Sequence, residues 1–406
     1  MREKIKTLVL LFLVGVSVYM TYILWISFPQ KEISFESKKS TNREVDIFRI
    51  IRPQYAFLIE NGKSYLIAPE EIWGKIWELL HKEREIKFAL EDKKDSSISN
   101  SFEGIKLVID GGWGKEVLKQ IFVKDNLAKR FEANVRINRI LVDFNKSQIV
   151  FEDVYNGKTY SFFYDDLTNL KSISDHSITV FDSVYDMPFT ALSMPNIYNK
   201  ALLKDLDQAL LDKIFANISI VRKITENNGM TVYTDGIKSL KVFENGIIEF
   251  YSTSPESFPE GKTDLEKAVY FLERLGFDWR NFYLTDVKVE NGQFYFFFNY
   301  SYEYPIWFDK RDFSPIEVTV SNGGVKAAKI LYFELEEKGK INFPREKIRN
   351  LVSLETNFSK TKGSLVGVKI GYVYTNGHFI PSAKMEFKKG SIFVNMFNGK
   401  LISIGD

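Results

Sequence analysis

Ten Asn-Gly and Asp-Gly pairs punctuate this chain, and no other feature narrows its choice of fold as much. Asn-Gly falls at 61, 156, 228, 245, 291, 322, 376 and 398, and Asp-Gly at 110 and 235. Both residues of such a pair tolerate positive φ. They therefore favour two-residue type I′ turns, whose twist matches that of paired antiparallel strands. Many are flanked by β-rich runs: TVYTDGIKSLKVFENGIIEFYS (231–252) reads as three short strands and two turns. The pattern predicts antiparallel sheet.

Helices are interspersed. Pro69-Glu70-Glu71 is a helix start, with proline in the first turn and acids at the positive dipole end. Ile72, Ile76, Leu79 and Leu80 follow on one face, with His81 and Lys82 at the other end. Further helices are expected from Glu116 to about Arg130, near Asp207 to Ala216, and from Pro344 with Ile348, Leu351 and Leu354 buried. The clearest is TDLEKAVYFLERLG. Thr263 and Glu266 form a capping box, Leu265, Ala268, Val269, Leu272 and Leu275 an apolar stripe, and Gly276 a C-cap.

After that helix comes FYFFFNYSYEYPIWFD (294–309), ten of whose sixteen residues are aromatic. Alternate residues of a strand face opposite sides. The even positions Phe294, Phe296, Phe298, Tyr300, Tyr302, Tyr304, Ile306 and Phe308 are all apolar or aromatic. They are expected to form the core under the 263–275 helix. Pro305 cannot donate to a ladder, so pairing should end near Glu303. Tyr295, Phe297 and Trp307, on the odd side, remain as the candidate exposed aromatic surface.

These elements give an α+β fold: tandem modules of antiparallel sheet, each with helices on one face. The expected boundaries are 45–195, 196–340 and 341–406, preceded by a polar spacer at 29–44. In the last module strands are expected at Leu365–Tyr374, Lys384–Lys388, Ser391–Phe397 and Leu401–Ile404.

The first residues carry a different signal. Thr7 to Phe28 contains 22 residues without a charge. As a helix it would span about 33 Å, against a hydrocarbon core of about 30 Å. Residues 7–28 are therefore expected to be a transmembrane helix, with 1–6 as a tail and everything after 28 on one side. No small-x-small cleavage site follows the run, which favours an anchor over a signal peptide. Lysines and arginines are nearly tied on the two flanks, leaning only slightly toward an internal N-terminus. Within the span, Ser17, Thr21 and Trp25 lie on one face and Gly15 and Tyr22 on the opposite one. Small residues let membrane helices pack closely, so these five are candidate contacts for partner helices.

Signals for chemistry are weak. There is no cysteine, which excludes disulfides, thiolate metal sites and cysteine nucleophiles. His81, His176 and His378 lack metal-ligand spacing. Ser359-Lys360-Thr361-Lys362 formally fits S-x-x-K, but its S-D-N companion is missing and the segment reads as a polar loop. Asp110-Gly111-Gly112-Trp113-Gly114-Lys115 has the wrong glycine spacing for a phosphate loop, and Glu116 stands where a magnesium-binding hydroxyl belongs. It reads as a strand end turning into a helix. The net charge of +2 argues against a nucleic-acid binder. No catalytic residue, metal or cofactor is expected.

The layout resembles the YycH family, membrane-anchored accessory regulators of the cell-wall sensor histidine kinase YycG, or WalK, of Gram-positive bacteria. The resemblance rests on the opening MREKIKTLVLLFLVGVSVYMTYILW, the central ALLDKIFANISIVRKITENNGMTVYTDGIKSLKVFENGIIEFYS and the closing VKIGYVYTNGHFIPSAKMEFKKGSIFVNMFNGKL. The last is also similar to the end of the sibling regulator YycI. One departure is Ala383-Lys384, where the resemblance leads one to expect an alanine–tryptophan pair. The resemblance implies a single-pass protein, N-terminus inside and the large part outside the cytoplasm. It implies no catalysis, and partnership with the kinase and a YycI-like regulator. Two alternatives differ in class. A cell-envelope module binding glycan or peptide would need the exposed aromatics, and an envelope hydrolase would need a cleft with converging carboxylates.

Overall fold

The computed structural model describes residues 13–17, 19–20, 46–82, 87–92, 102–122, 127–164, 167, 170, 180–181, 192–199, 208–226, 229–256, 258, 261–308, 313–344 and 358–402. The chain divides into two compact units, 1–44 and 45–406. In the first, residues 13–17 and 19–20 are helical. Among the described residues no helix is long and apolar enough to cross a membrane. Of the expected span 7–28, residues 7–12, 18 and 21–28 lie outside them, Thr21, Tyr22 and Trp25 included.

The larger unit is mostly antiparallel sheet. In its first part, strands β1 (Tyr55–Glu60), β2 (Lys63–Ile67), β3 (Lys87–Asp92), β4 (Gly104–Trp113), β5 (Ile137–Asp143), β6 (Gln148–Asp153), β7 (Lys158–Phe163) and β8 (Val180–Phe181) form one sheet, ordered β3-β7-β6-β5-β4-β1-β2-β8. Helices α1 (Ile47–Ile50), α2 (Pro69–Lys82) and α3 (Lys115–Ile121) accompany it. In α2, Ile72, Ile76 and Leu80 are buried as the periodicity requires. The helix expected from Glu116 to about Arg130 is α3 followed by a separate 3-10 turn at Leu127–Arg130, with 123–126 outside the described residues.

Strand β9 (Leu192–Asn199) pairs across the chain with β19 (Leu335–Phe343). Helix α4 (Gln208–Ile214) precedes the second large sheet. Its strands are β10 (Arg222–Thr225), β11 (Thr231–Thr234), β12 (Lys238–Val242), β13 (Ile247–Glu256), β14 (Phe282–Glu290), β15 (Gln293–Tyr302), β16 (Tyr304–Phe308), β17 (Ile316–Ser321), β18 (Gly324–Leu331), β20 (Leu365–Thr375), β21 (His378–Phe387), β22 (Gly390–Asn395) and β23 (Leu401–Ile402). The order is β10-β11-β12-β13-β18-β17-β15-β16-β20-β21-β22-β23, with β14 beside β15. The β16–β20 pairing is parallel and carries the strands of the last expected module into the central sheet. Among the described residues a large hydrophobic core contains Ile50 at one end of this unit's sequence and Met396 at the other, and a small separate cluster holds Ile59, Phe102, Leu141 and Val150.

The turn signals divide by geometry. Asn61-Gly62, Asn291-Gly292, Asn322-Gly323 and Asn376-Gly377 have positive φ at both residues, as a type I′ turn demands. Helix α5 (Asp264–Leu275) forms as its sequence directs. Thr263 Oγ1 accepts from the Glu266 N–H (3.2 Å), Glu266 Oε2 accepts from the Thr263 N–H (2.6 Å), and Gly276 closes the helix at φ 100°. It packs on β15, β17 and β18. Beneath it Phe296, Phe298 and Tyr300 are buried, as the alternation predicts. The helix expected from Pro344, with Ile348, Leu351 and Leu354, lies outside the described residues. Residues 358–362 are helical rather than loop, so Ser359 to Lys362 sits on a short helix.

Candidate functional site

The Asp110-Gly111 pair is not a hairpin turn. Gly111 and Gly112 both adopt left-handed φ (75° and 74°) inside β4. They shift its register against β5, so that Val108 pairs with Arg139 and Trp113 with Ile137. Five steps on one strand match two on the other, and the extra backbone is a bulge. Bulges re-aim side chains, and this one places Asp110, only 6% exposed, among residues remote in sequence.

Asp110 Oδ1 accepts from Lys384 Nζ (2.9 Å) and Lys369 Nζ (3.5 Å), and Oδ2 from Trp307 Nε1 (2.7 Å). The Tyr283 hydroxyl donates at 3.5 Å and itself accepts from Asn299 Nδ2 at 3.2 Å. Glu386 closes the ring, accepting from Lys369 and Lys384 at 3.0 Å each. Lys369 also donates to the Ile109 carbonyl (3.1 Å), and the Asp110 N–H donates to Gln54 Oε1 (2.6 Å). Lys369 and Lys384 are direct cross-strand partners in β20 and β21. Like charges so placed repel, and the two carboxylates between them make the arrangement tenable.

Burial pushes the Asp110 carboxyl up, but Lys384, Lys369 and the hydrogen bonds from Lys384 and Trp307 overcome it and hold it far below the carboxylate range. Glu386 follows the same balance, burial opposed by Lys369 and Lys384, and ends below its ordinary value. Lys384 is lowered by burial and raised more strongly by Asp110 and Glu386, so it stays charged. The cluster is neutral as a whole, two ammoniums against two carboxylates. Proton transfer needs groups poised near the working pH, and Asp110, Glu386 and Lys384 are driven away from it. The arrangement ties three remote stretches together. Among the described residues no group of three acidic or histidine side chains could hold a metal.

The expected aromatic surface is corrected at Trp307. It is 5% exposed, because Asp110 of β4 and Phe393 of β22 cover the face of β16 that the alternation left open. Tyr295 and Phe297 are half-buried, the first bonded to Gln293 (3.1 Å), the second beneath Lys288 Nζ at 5.1 Å. Gly15 and Ser17 are exposed on the helical 13–17 segment. Sequence reading missed Asp110, Lys369, Lys384 and Glu386 as a group. Lys369, flanked by Val368 and Ile370 in an otherwise apolar strand, was the available signal.

Beside the cluster lies a cleft of about 490 Å³ bounded by residues 52–55, 66–70, Arg280, Ser301 and 303–305. Arg52 is nearly buried there and donates to Glu70 Oε1 (3.0 Å), the Arg280 carbonyl (2.7 Å) and Ser301 Oγ (3.1 Å).

Sheet architecture and polar centre together define a mostly antiparallel α+β scaffold whose buried charges join segments. Comparison with known proteins narrows this class. A family model described as the N-terminal domain of YycH protein matches residues 3–162. The Bacillus subtilis (strain 168) protein named two-component system WalR/WalK regulatory protein YycH is 23% identical over 329 residues, 70% of this chain and 69% of its own. The crystal structure of YycH from Bacillus subtilis shares the fold with a TM-score of 0.52 at 17% identity, covering 90% of this chain and 98% of that one. The resemblance to the YycH family is therefore upheld in sequence and in fold.

Proposed function

We propose that this chain is a non-catalytic, membrane-anchored regulator of a two-component sensor kinase of the WalK type. The observation that carries the reading is likeness over 70% of the chain to a protein named as a WalR/WalK regulator, supported by the shared fold. The uncharged stretch 7–28 supports an anchor, and the family resemblance implies that residues 29–406 lie outside the cytoplasm. The resemblance to the YycH family implies a YycI-like regulator as a second partner. The two faces of the anchor, Gly15 with Tyr22 and Ser17 with Thr21 and Trp25, would each meet a different partner helix.

Affinity capture of the full-length protein from its own membranes tests this directly. A sensor histidine kinase should be recovered, and Gly15→Leu and Ser17→Leu should each deplete a different partner while leaving insertion intact. Capture without any kinase would refute the regulator. Equal recovery of both partners with every variant would refute the two-face arrangement alone.

A further inference from the structure

The charged side chains of the cleft beside the ion cluster are not all paired. Pro53, Pro69 and Pro305 line it, and none has an N–H to offer. Arg52 donates to Glu70, the Arg280 carbonyl and Ser301. Arg280 is held by Asp278, its Nε donating to both carboxylate oxygens at 3.0 and 2.9 Å. Gln54 donates one amide N–H to the Arg52 carbonyl, and its oxygen accepts from the Asp110 N–H. The Tyr55 hydroxyl donates to the Ile370 carbonyl. Of the four charged side chains that line the cleft, Arg52 and Glu70 pair with each other and Arg280 pairs with Asp278, which leaves the carboxylate of Glu303, with the ring of Tyr304 beside it. Among the described residues no hydrogen bond or ion pair engages that carboxylate.

Glu303 is also held in an unusual backbone conformation, φ 57°, where Tyr302 pairs with Tyr304 across the β15–β16 reversal. A glutamate at positive φ is uncommon, and such strain concentrates at ligand sites. Burial pushes its carboxyl up, Lys340 draws it down, and Glu337 pushes it up again, with a raised net result. An added positive charge would relieve that burden. The cavity volume falls within the roughly 300–1,000 Å³ usual for ligand pockets.

We propose that this cleft binds an organic cation, an ammonium or guanidinium group, with Glu303 as its carboxylate partner and the Tyr304 ring as its wall. The proposal stands apart from the regulator reading, because it concerns a ligand and not the kinase. The full-length chain in detergent would be titrated by calorimetry with acetyl-lysine amide, acetyl-arginine amide and alaninamide. The first two present a side-chain cation and the third an α-amine, so they separate the two sources. Acetyl-norleucine amide and the Nε-acetylated lysine derivative are the neutral controls.

At least one cation should bind and the neutral analogues should not. Glu303→Gln should weaken binding about tenfold or more, as loss of a charge-assisted hydrogen bond predicts. Tyr304→Leu should weaken it less, and Phe297→Leu, outside the cleft, not at all. Glu303→Asn, which tolerates the left-handed backbone, replaces the glutamine variant if that variant melts early, and should show the same loss. Absence of binding by every cation, equal binding by a neutral analogue, or wild-type affinity in the Glu303 variants would overturn the proposal.

Discussion

The strand β15 and the bulge of β4 fill the same core by opposite means. Under α5, β15 contributes rings: Phe296 and Phe298 reach 0% exposure and Tyr300 1%. Tyr300 places its hydroxyl on the Leu331 carbonyl at 2.8 Å. At the β4 bulge the buried volume is filled with charge, and four ionised side chains are packed so that each faces opposite sign. An apolar core is stabilised in proportion to the area it removes from water. A polar core is stable only while every member has its partner. The first should degrade gradually under substitution, the second abruptly.

Asp110→Ala tests the contrast most severely. It leaves Lys369 and Lys384 opposed with Glu386 alone between them, and should cost about 3–5 kcal/mol, as breaking a buried pair does. The urea midpoint of the full-length chain measures this, and an unchanged midpoint would mean the cluster contributes nothing to stability. Phe296→Ala should also cost about 3–5 kcal/mol. Phe296→Leu should recover most of that, because a hydrophobic side chain refills much of the space. If Asp110→Asn is tolerated as well as Phe296→Leu, the contrast fails.

Acidity separates the two regions next. Asp110 and Glu386 lie below their ordinary values of 3.8 and 4.5. Their stabilisation is complete above those values and is lost as pH falls toward the depressed ones. Lys384 lies above its ordinary 10.5, so its share is complete below that value and lost only in stronger alkali. Stability from the cluster should be level between about pH 5 and 10 and decline in acid. Phe296→Leu should follow the wild-type acid limb in parallel. Asp110→Asn should flatten it, and a parallel curve there would refute the assignment. The smallest effect belongs to the helix above β15: Thr263→Ala removes half of a capping box and should cost about 1 kcal/mol. Its urea midpoint should fall without any change in pH profile.

What could be read before folding was local. The capping box, the C-cap glycine, the turn pairs with both φ positive and the alternating rings of β15 each depend on neighbours within a few residues. Periodicity alone therefore specified them. Even so, alternation misplaced Trp307, since it shows which side a residue faces but not what arrives to cover that side. Lys384 shows the same limit from another direction. It stands where family resemblance suggested tryptophan, and only its distance to Asp110, 274 positions away, explains a lysine in a buried strand. The sequence by itself determined antiparallel sheet with helices and the inner face of the aromatic strand, because hydrophobic period and turn chemistry act over short range. The tertiary structure decided the ion cluster and the cleft. Charge partners and cavity walls are brought together by strands far apart in the chain, and no short-range pattern encodes which distant residue will satisfy a buried charge.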